Sequence, residues 1–390
     1  MISRRLGDIH LAKDTQRLHR ASENWRHDRI MQTRLKLGCT KIIPALVFAV
    51  MTVITMPAIG RSSTSEKGLS LEEALNALPR LRSLLISIDG ELVDERYFHG
   101  ARSTHSANLK SASKSIISTL IGIALDRGQL KSVRDPIAKF FPEHLGAKAD
   151  AAKNRITIED LLTMRSGLES TSNVNYGRWV TSTNWVGHVL SRPLIDEPGG
   201  RMIYSTGNSH LLSAILTKAT KMSTFEFARR YLAEPLAFAI RPWIRDPQGI
   251  YLGGNDMQLS PRAMLKYGEL YLKRGRMQES QIVSAEWIGE SLKPRTKSSW
   301  SGRDYGYGWW IDTLGGQTTY YAWGHGGQFI FTVPGLKLVI VTTAVPTPDD
   351  GRREHQRAIY DLVERHVIPA AERKQLAALS SKTRVDPQQN

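Results

Sequence analysis

The chain has 390 residues, of which 41% are hydrophobic and 23% charged, the composition of an ordinary globular protein. These values exclude a disordered or collagen-like chain, and the length suffices for one large core or two modest ones. The net charge is +16, but the first 41 residues alone hold ten Lys or Arg against four Asp or Glu. Because the remaining positive charge is dispersed, we predict a solvated basic surface and no nucleic-acid partner.

An apolar stretch without charged residues, IIPALVFAVMTVITMPAIG, spans residues 42–60 behind a basic flank. Its last residues, AIG, fit the small-x-small pattern of a signal-peptide cleavage site. Counted from Met31 the segment is an ordinary secretory signal, whereas from Met1 the basic leader is unusually long. We therefore predict a start at Met31 and export to the periplasm. Residues 42–60 are either a cleaved signal or a retained membrane anchor, since a bilayer requires about 20 apolar residues.

Residues 61–390 are predicted to form a single domain, which contains no cysteine because Cys39 is the only one. Neither disulfides nor a thiol nucleophile can therefore operate there. Two strands joined by Asp89-Gly90 give a strong hairpin signal near its start. Apolar residues at helical spacing predict a helix over 111–127.

The rest of the domain changes character twice. Residues of about 130–290 are predicted to be mainly helical, with further helices over 208–220 and 261–274. The segments YGYGWWID, TTYYAW, FIFTV and LKLVIVTTAV then predict antiparallel strands, and a last helix is predicted over about 352–370. The fold class is therefore α/β (α+β). One antiparallel sheet is built from both termini (about 80–110 and 300–370), with an inserted helical region over about 111–295.

The first candidate for chemistry is Ser111-Ala112-Ser113-Lys114, the only S-x-x-K in the chain. Residues three apart at the start of a helix share one face, and the helix N-terminus favours negative charge there. A lysine can activate a serine when its pKa is lowered by burial. The other reading is a helix-capping Ser111 beside an exposed Lys114.

Two further candidates follow along the chain. Tyr204, before a helix, can relay a proton if it lies near a lysine, and is otherwise a half-buried aromatic residue. His325-Gly326-Gly327 leads into the strand FIFTV, where small residues let a strand edge approach a substrate. The N–H groups of Gln328 and Ser111 are predicted to form an oxyanion hole, of which one donor is worth about 10²–10³ in rate. Otherwise the segment is a glycine-rich turn with a surface histidine.

The order of these three motifs resembles that of the serine β-lactamase and penicillin-binding superfamily. IEDLLTMRSGL at 158–168, LSPR at 259–262 and YGYGWW at 305–310 are similar to its class C-like branch. The resemblance covers about residues 80–370 and is closest to esterases, D-aminopeptidases and 6-aminohexanoate-dimer hydrolases. It implies a β-lactamase-like fold.

This resemblance also implies a mechanism. Lys114 takes the proton of Ser111, with Tyr204 sharing or relaying it, and Ser111 attacks an ester or amide carbonyl to form an acyl-enzyme that water cleaves. His325, Gly326 and Gly327 would contact the substrate. The predicted partner is a small-molecule ester or amide, and neither metal nor cofactor is required. Oligomeric state is left open.

Two departures from the class C pattern argue against efficient penicillin turnover. Thr206 stands where class C enzymes have an asparagine, and His325 replaces a lysine that meets a substrate carboxylate. The alternative functions are a D,D-peptidase or β-lactamase acting on cell-wall peptides or β-lactams, and a binding or sensor domain that is acylated without turnover. A metalloenzyme and an α/β-hydrolase are disfavoured because H-E-x-x-H and G-x-S-x-G are absent.

Tryptophans are the last feature. They are predicted either to line an apolar acyl pocket or to pack in the core. The residues concerned are Trp179, Trp185, Trp309, Trp310 and Trp323.

Overall fold

The computed structural model describes residues 70–145, 150–347 and 351–383. Contacts within the chain separate the compact unit Leu71–Asn390 from Met1–Ser70. The predicted start at Met31 and the predicted signal or anchor at 42–60 lie outside the described residues. Among the helices that the structure does describe, none combines the length and apolar character needed to cross a bilayer.

The secondary structure of the described residues is mixed. Its helices are α1 Leu71–Asn76, α2 Ser113–Asp126, α3 Ile158–Leu162, α4 Tyr176–Val180, α5 Trp185–Ser191, α6 Thr206–Thr220, α7 Thr224–Ala228, α8 Pro261–Leu272, α9 Ala285–Ser291, α10 Arg352–Leu362 and α11 Ile368–Thr383. Its strands are β1 Leu81–Ile88, β2 Glu91–Tyr97, β3 Ala107–Asn108, β4 Gln258–Leu259, β5 Arg276–Met277, β6 Ser280–Gln281, β7 Thr296–Lys297, β8 Asp304–Tyr305, β9 Trp310–Leu314, β10 Gln317–Gly324, β11 Gln328–Val333 and β12 Leu338–Ala344.

One eight-stranded sheet organises the unit, in the order β2-β1-β12-β11-β10-β9-β8-β7, with antiparallel pairing throughout. The N-terminal hairpin β1–β2 therefore lies beside the last strand, β12. Asp89 and Gly90 both have positive φ, 53° and 83°, as a tight two-residue hairpin turn requires. The predicted sheet from both termini is confirmed.

The central strands β11 and β12 are buried on both faces of the sheet, and successive side chains along each strand point to opposite faces. On β11, Phe329 and Phe331 face a core cluster completed by the C-terminal helices α10 and α11. Ile330 faces the other cluster, which includes α2, α6 and α8. Helix α2 is buried along almost its whole length, so its N-terminal end is held rigidly within the domain.

Two predicted helices differ from the observed ones. Residues Lys110–Ala112 form a 3₁₀ turn, and α2 begins only at Ser113, so Ser111 lies in the turn before the helix rather than within it. The last helix continues through a π turn at Val363–Val367 to Thr383. Helix α3 begins with a capping box, formed by Thr157 and Asp160.

Candidate active site

The turn that carries Ser111 is pinned by the segment that precedes α8. The Leu109 N–H donates to the Met257 carbonyl at 2.9 Å, and the Asn108 side chain donates to Asp256 at 2.7 Å. Ser113 Oγ donates to the Lys110 carbonyl at 2.7 Å. Lys110 itself has φ +50°, so the chain bends sharply just before Ser111. Ser111 is partly exposed at this bend, where a substrate can reach it.

Lys114 and Ser111 are brought together as predicted. Nζ of Lys114 lies 3.3 Å from Oγ of Ser111, and the Lys114 side chain is buried, with 3% of its surface exposed. The reading of Lys114 as an exposed lysine is therefore wrong. Burial lowers the pKa of Lys114 to about 7, against the smaller opposing effect of the Asp256 carboxylate. A lysine of this kind is largely uncharged just above neutral pH and can accept a proton.

Tyr204 lies beside Ser111 and shares a hydrogen bond with it. Nζ of Lys114 stands 5.0 Å from the centre of the Tyr204 ring. Burial raises the pKa of Tyr204 to about 12, and the hydrogen bond with Ser111 opposes this rise. Tyr204 therefore keeps its proton at neutral pH, and of these two groups only Lys114 can accept a proton there.

Two contacts of the Lys114 amine were not predicted from the sequence. The Gly254 carbonyl accepts a hydrogen bond from Nζ at 2.7 Å, and Thr206 Oγ1 lies 3.3 Å from Nζ. Thr206 is held in turn by Ser172, whose hydroxyl is 3.0 Å from Oγ1. Gly254 has φ +84°, and a Cβ there would stand 2.8 Å from Cγ of Lys114. The pair Gly253-Gly254 was the available sequence signal for such a close backbone approach.

The His325 turn lies between β10 and β11. Nε2 of His325 is 3.2 Å from the Arg352 guanidinium. An arginine only donates, so Nε2 accepts and the ring proton sits on Nδ1. Burial, followed by the charges of Arg352, Lys110 and Arg80, lowers the pKa of His325 to about 4. His325 is therefore neutral at pH 7 and supplies no positive charge.

The glycines of this turn serve packing within the protein. A Cβ at Gly326 would stand 2.8 Å from the Val345 carbonyl, and one at Gly327 would stand 2.8 Å from Ile359. The close approach to the Ser111 turn is made instead by Gly324, where a Cβ would stand 2.0 Å from the Leu109 carbonyl oxygen. Substrate contact by Gly326 and Gly327 stays a prediction.

Gln328 is fully buried at the start of β11. Its side chain donates to the Ala344 carbonyl at 2.7 Å. This contact anchors the strand start, and the part of its backbone N–H in an oxyanion hole, together with that of Ser111, stays a prediction.

The predicted tryptophans fall into two groups. Trp179, Trp185 and Trp309 pack in the larger core cluster, so for them the core interpretation is confirmed. Trp310 is buried as well, in the other core cluster, and it stacks on Tyr204 with ring centres 6.0 Å apart.

Trp310 and Trp323 belong to an aromatic cluster with a third ring that sequence reasoning missed. Trp300, on the β7–β8 turn, lies 5.5 Å from Trp310 and 5.7 Å from Trp323 between ring centres. Trp300 has 59% of its surface exposed. The Trp300–Trp310–Trp323 cluster therefore extends from Tyr204 to solvent.

The described part of the chain contains no group of three or more His, Cys, Asp or Glu side chains arranged to hold a metal ion. The charged side chain that acts on the pKa of Lys114 is Asp256. Those that act on the pKa of His325 are Arg352, Lys110 and Arg80. The arrangement thus combines an accessible hydroxyl, a buried amine and a protonated phenol, which together are suited to nucleophilic acyl transfer.

Comparison with known proteins agrees with this arrangement. The model of the Beta-lactamase family matches residues 82–363. A comparison with curated protein sequences found no significant relative. A 6-aminohexanoate-dimer hydrolase homologue from Bacillus anthracis is 18% identical, with a TM-score of 0.66, over 78% of this chain and 82% of that one.

Two other solved structures share the fold. EstCE1, a hydrolase with promiscuous acyltransferase activity, is 17% identical with a TM-score of 0.63, over 75% of this chain and 98% of that one. The octameric penicillin-binding protein homologue from Pyrococcus abyssi is 21% identical with a TM-score of 0.58, over 74% of each chain. Both the motif order and the family match cover most of the sheet and the inserted helices. The chain belongs to the Beta-lactamase family of serine hydrolases.

Proposed function

We propose that the protein hydrolyses an ester or amide through an acyl-serine intermediate, with Ser111 as nucleophile and Lys114 as base. The observation that carries this proposal is the 3.3 Å separation of Ser111 Oγ from a buried lysine amine whose pKa is about 7. An amine of this pKa accepts the hydroxyl proton near neutral pH without a second base.

The reaction proceeds in two halves. Lys114 accepts the proton of Ser111 Oγ as that oxygen attacks the carbonyl carbon, and the N–H groups of Ser111 and Gln328 hold the oxyanion. Lys114, through Tyr204, returns the proton to the leaving oxygen or nitrogen as the acyl-serine forms. Water then attacks the acyl carbon, its proton passing to Lys114, and Lys114 returns that proton to Ser111 Oγ as the carboxylic acid leaves.

Charge at the site favours an ordinary ester or amide over a β-lactam. In the class C pattern, the lysine replaced by His325 meets a substrate carboxylate, and His325 is neutral at pH 7 because its pKa is lowered to about 4. Thr206, in place of the class C asparagine, is engaged with Lys114 and Ser172. Neither residue offers the contact that a penicillin would use.

The test is hydrolysis of p-nitrophenyl acetate and butyrate by the purified full chain, with nitrocefin and a D-Ala-D-Ala peptide as competing substrates. We expect ester turnover, and a loss of about 10³-fold or more in Ser111→Ala and Lys114→Ala. Lys131→Ala, an exposed lysine, is the matched control and keeps wild-type rates.

The other outcomes identify the alternatives. Preferred cleavage of the peptide or nitrocefin would identify a D,D-peptidase or a β-lactamase. Stoichiometric labelling of Ser111 by a fluorophosphonate without any turnover would identify a sensor domain. An unchanged rate in Ser111→Ala would refute the proposed nucleophile.

We further propose that the protein is exported, on the basis of the basic flank and apolar stretch at 42–60. A periplasmic location with a new N-terminus after residue 60 would support a cleaved signal. An intact N-terminus in the membrane fraction would support an anchor, and a cytoplasmic location would refute export.

A further inference from the structure

His210 and Asp246 form a buried hydrogen-bonded pair that the proposed mechanism does not use. Nε2 of His210 lies 3.0 Å from Oδ2 of Asp246, and neither side chain has any exposed surface. Burying a carboxylate costs free energy unless its hydrogen bonds are satisfied, so a buried pair of this kind indicates a structural or functional role.

The other ring nitrogen of His210 fixes the tautomer. The Gly253 N–H donates to Nδ1 at 3.4 Å. A backbone amide can only donate, so Nδ1 is unprotonated and the ring proton lies on Nε2, directed at Asp246. Trp179 and Trp185 hold the ring edge to face, with ring centres 5.7 and 5.5 Å away.

The second carboxylate oxygen of Asp246 holds together the backbone of the loop that leads to Gly253. Oδ1 accepts hydrogen bonds from the N–H groups of Gln248, at 2.9 Å, and Ile250, at 2.8 Å. Both oxygens of Asp246 are thus engaged, and the carboxylate faces donors on both sides.

This loop delivers two groups to Lys114. The Gly254 carbonyl accepts from Nζ at 2.7 Å, and Asp256, two residues later, is the charged group that acts on the Lys114 amine. A Cβ at Gly253 would stand 2.0 Å from the Ser209 carbonyl oxygen, so the glycine pair lies directly against α6. The first turn of α6 carries Thr206, whose hydroxyl also contacts the Lys114 amine, at 3.3 Å.

We propose that His210 and Asp246 are positioning residues that hold the Gly254 carbonyl against the Lys114 amine and so direct that amine at Ser111. The connection runs from the Asp246 carboxylate through the His210 ring to the Gly253 N–H. It ties the 246–256 segment to α6, the two elements that enclose Nζ. The proposal rests on the proposed function of Ser111 and Lys114.

Asp246→Asn tests this connection without a change in size. Asn Oδ1 can still accept from Gln248 and Ile250, which leaves the NH₂ group facing His210. Nε2 must then accept, so the ring proton moves to Nδ1 and confronts the Gly253 N–H. We expect the Gly253–Gly254 turn to loosen and water to reach Lys114, which raises its pKa.

The readout is the rate of fluorophosphonate labelling of Ser111 as a function of pH, measured by mass spectrometry on the full chain. In wild type the rate rises with a midpoint near pH 7. We expect Asp246→Asn to move the midpoint up by about one unit, which lowers the rate at pH 7 by about fivefold. His210→Gln, which breaks the same connection from the ring side, is expected to shift the midpoint in the same direction.

Ser83→Ala is the matched control, because its hydroxyl is a buried hydrogen-bond partner of Thr343 within the sheet, at 2.6 Å. It loses a buried hydrogen bond but leaves the midpoint unchanged. Unchanged midpoints in folded Asp246→Asn or His210→Gln overturn the positioning role alone. If Ser111 of the wild-type protein is not labelled, the proposed function is overturned, and the positioning role with it.

A measurement on wild type decides the matter if neither variant folds. The ¹⁵N chemical shifts of His210 are expected to show the proton on Nε2. A proton on Nδ1 would contradict the connection to Gly253 and overturn the proposal.

Discussion

The amine of Lys114 lies 3.3 Å from the hydroxyl oxygen of Ser111, and the two differ in their access to solvent. Ser111 is partly exposed in its turn, whereas Lys114 is buried between α6 and the 254–256 segment. This difference leaves the Ser111 hydroxyl reachable from solvent while water is kept from the Lys114 amine. The lowered pKa of Lys114 is the direct consequence.

The first prediction concerns pH. We expect kcat/KM for p-nitrophenyl acetate to rise with pH through a midpoint near 7, where Lys114 loses its proton, and to stay level up to about pH 9. Tyr204 adds no limb in this range because its pKa is about 12. Lys114→Arg keeps the charge at every pH and is expected to lose about 10³-fold. A flat profile between pH 5 and 9 would contradict the assignment.

The second prediction is that Lys114 lowers stability at neutral pH. Its pKa in the folded state, about 7, lies below the ordinary value of 10.5, so between these values the unfolded state binds more protons and stability rises with pH. The cost at pH 7 is on the order of 4 kcal/mol. Lys114→Met removes this cost but leaves the Gly254 carbonyl without its partner, which costs about 1–3 kcal/mol.

We therefore expect Lys114→Met to unfold at higher urea concentration than wild type at pH 6, by a net of about 1–3 kcal/mol. The difference should shrink and then reverse as pH approaches and passes 10.5, because the folded-state lysine is already neutral there and the unfolded-state lysine loses its proton through that value. Denaturation curves at pH 6, 8 and 10 measure this. A difference that does not vary with pH would show that Lys114 is not the titrating group.

The third prediction separates backbone strain from crowding of Lys114. Gly254→Ala places a residue with φ +84° where a Cβ would stand 2.6 Å from Ser209 Cβ and 2.8 Å from Lys114 Cγ. We expect a stability loss of about 1–3 kcal/mol and a fall in kcat of about tenfold or more. Gly128→Ala is the control, because Gly128 has φ +69° with no atom within 4 Å of its Cβ. Gly128→Ala should lose stability but keep kcat. An equal fall in kcat in Gly254→Ala and Gly128→Ala would show that backbone strain alone is responsible.

The fourth prediction concerns the exposed ring of the Trp300–Trp310–Trp323 cluster. Because this cluster begins at Tyr204, we expect Trp300→Ala to lower kcat/KM for p-nitrophenyl benzoate about three- to tenfold more than for the acetate. Leu92→Ala serves as the control, since Leu92 is an exposed apolar residue on β2, at the opposite edge of the sheet. An equal effect on both esters would show that Trp300 does not touch the substrate.

Local sequence patterns determined much of the secondary structure of this protein. Asp89-Gly90 set a hairpin turn, alternating and aromatic segments set β9 to β12, and apolar spacing set the α2 helix. These features depend on neighbours in the sequence, which is why they could be predicted. The S-x-x-K spacing likewise placed Ser111 and Lys114 together, because three residues span about one helical turn.

The tertiary structure alone decided the surroundings of Lys114. Gly254, Thr206 and Asp256 come from segments about 90 to 140 residues away, and no local pattern reports which of them meet. The same holds for His210 and Asp246, whose pairing depends on how α6 packs against a loop. Burial sets a pKa through the many groups that exclude water from a site, and those groups are assembled only when the chain folds.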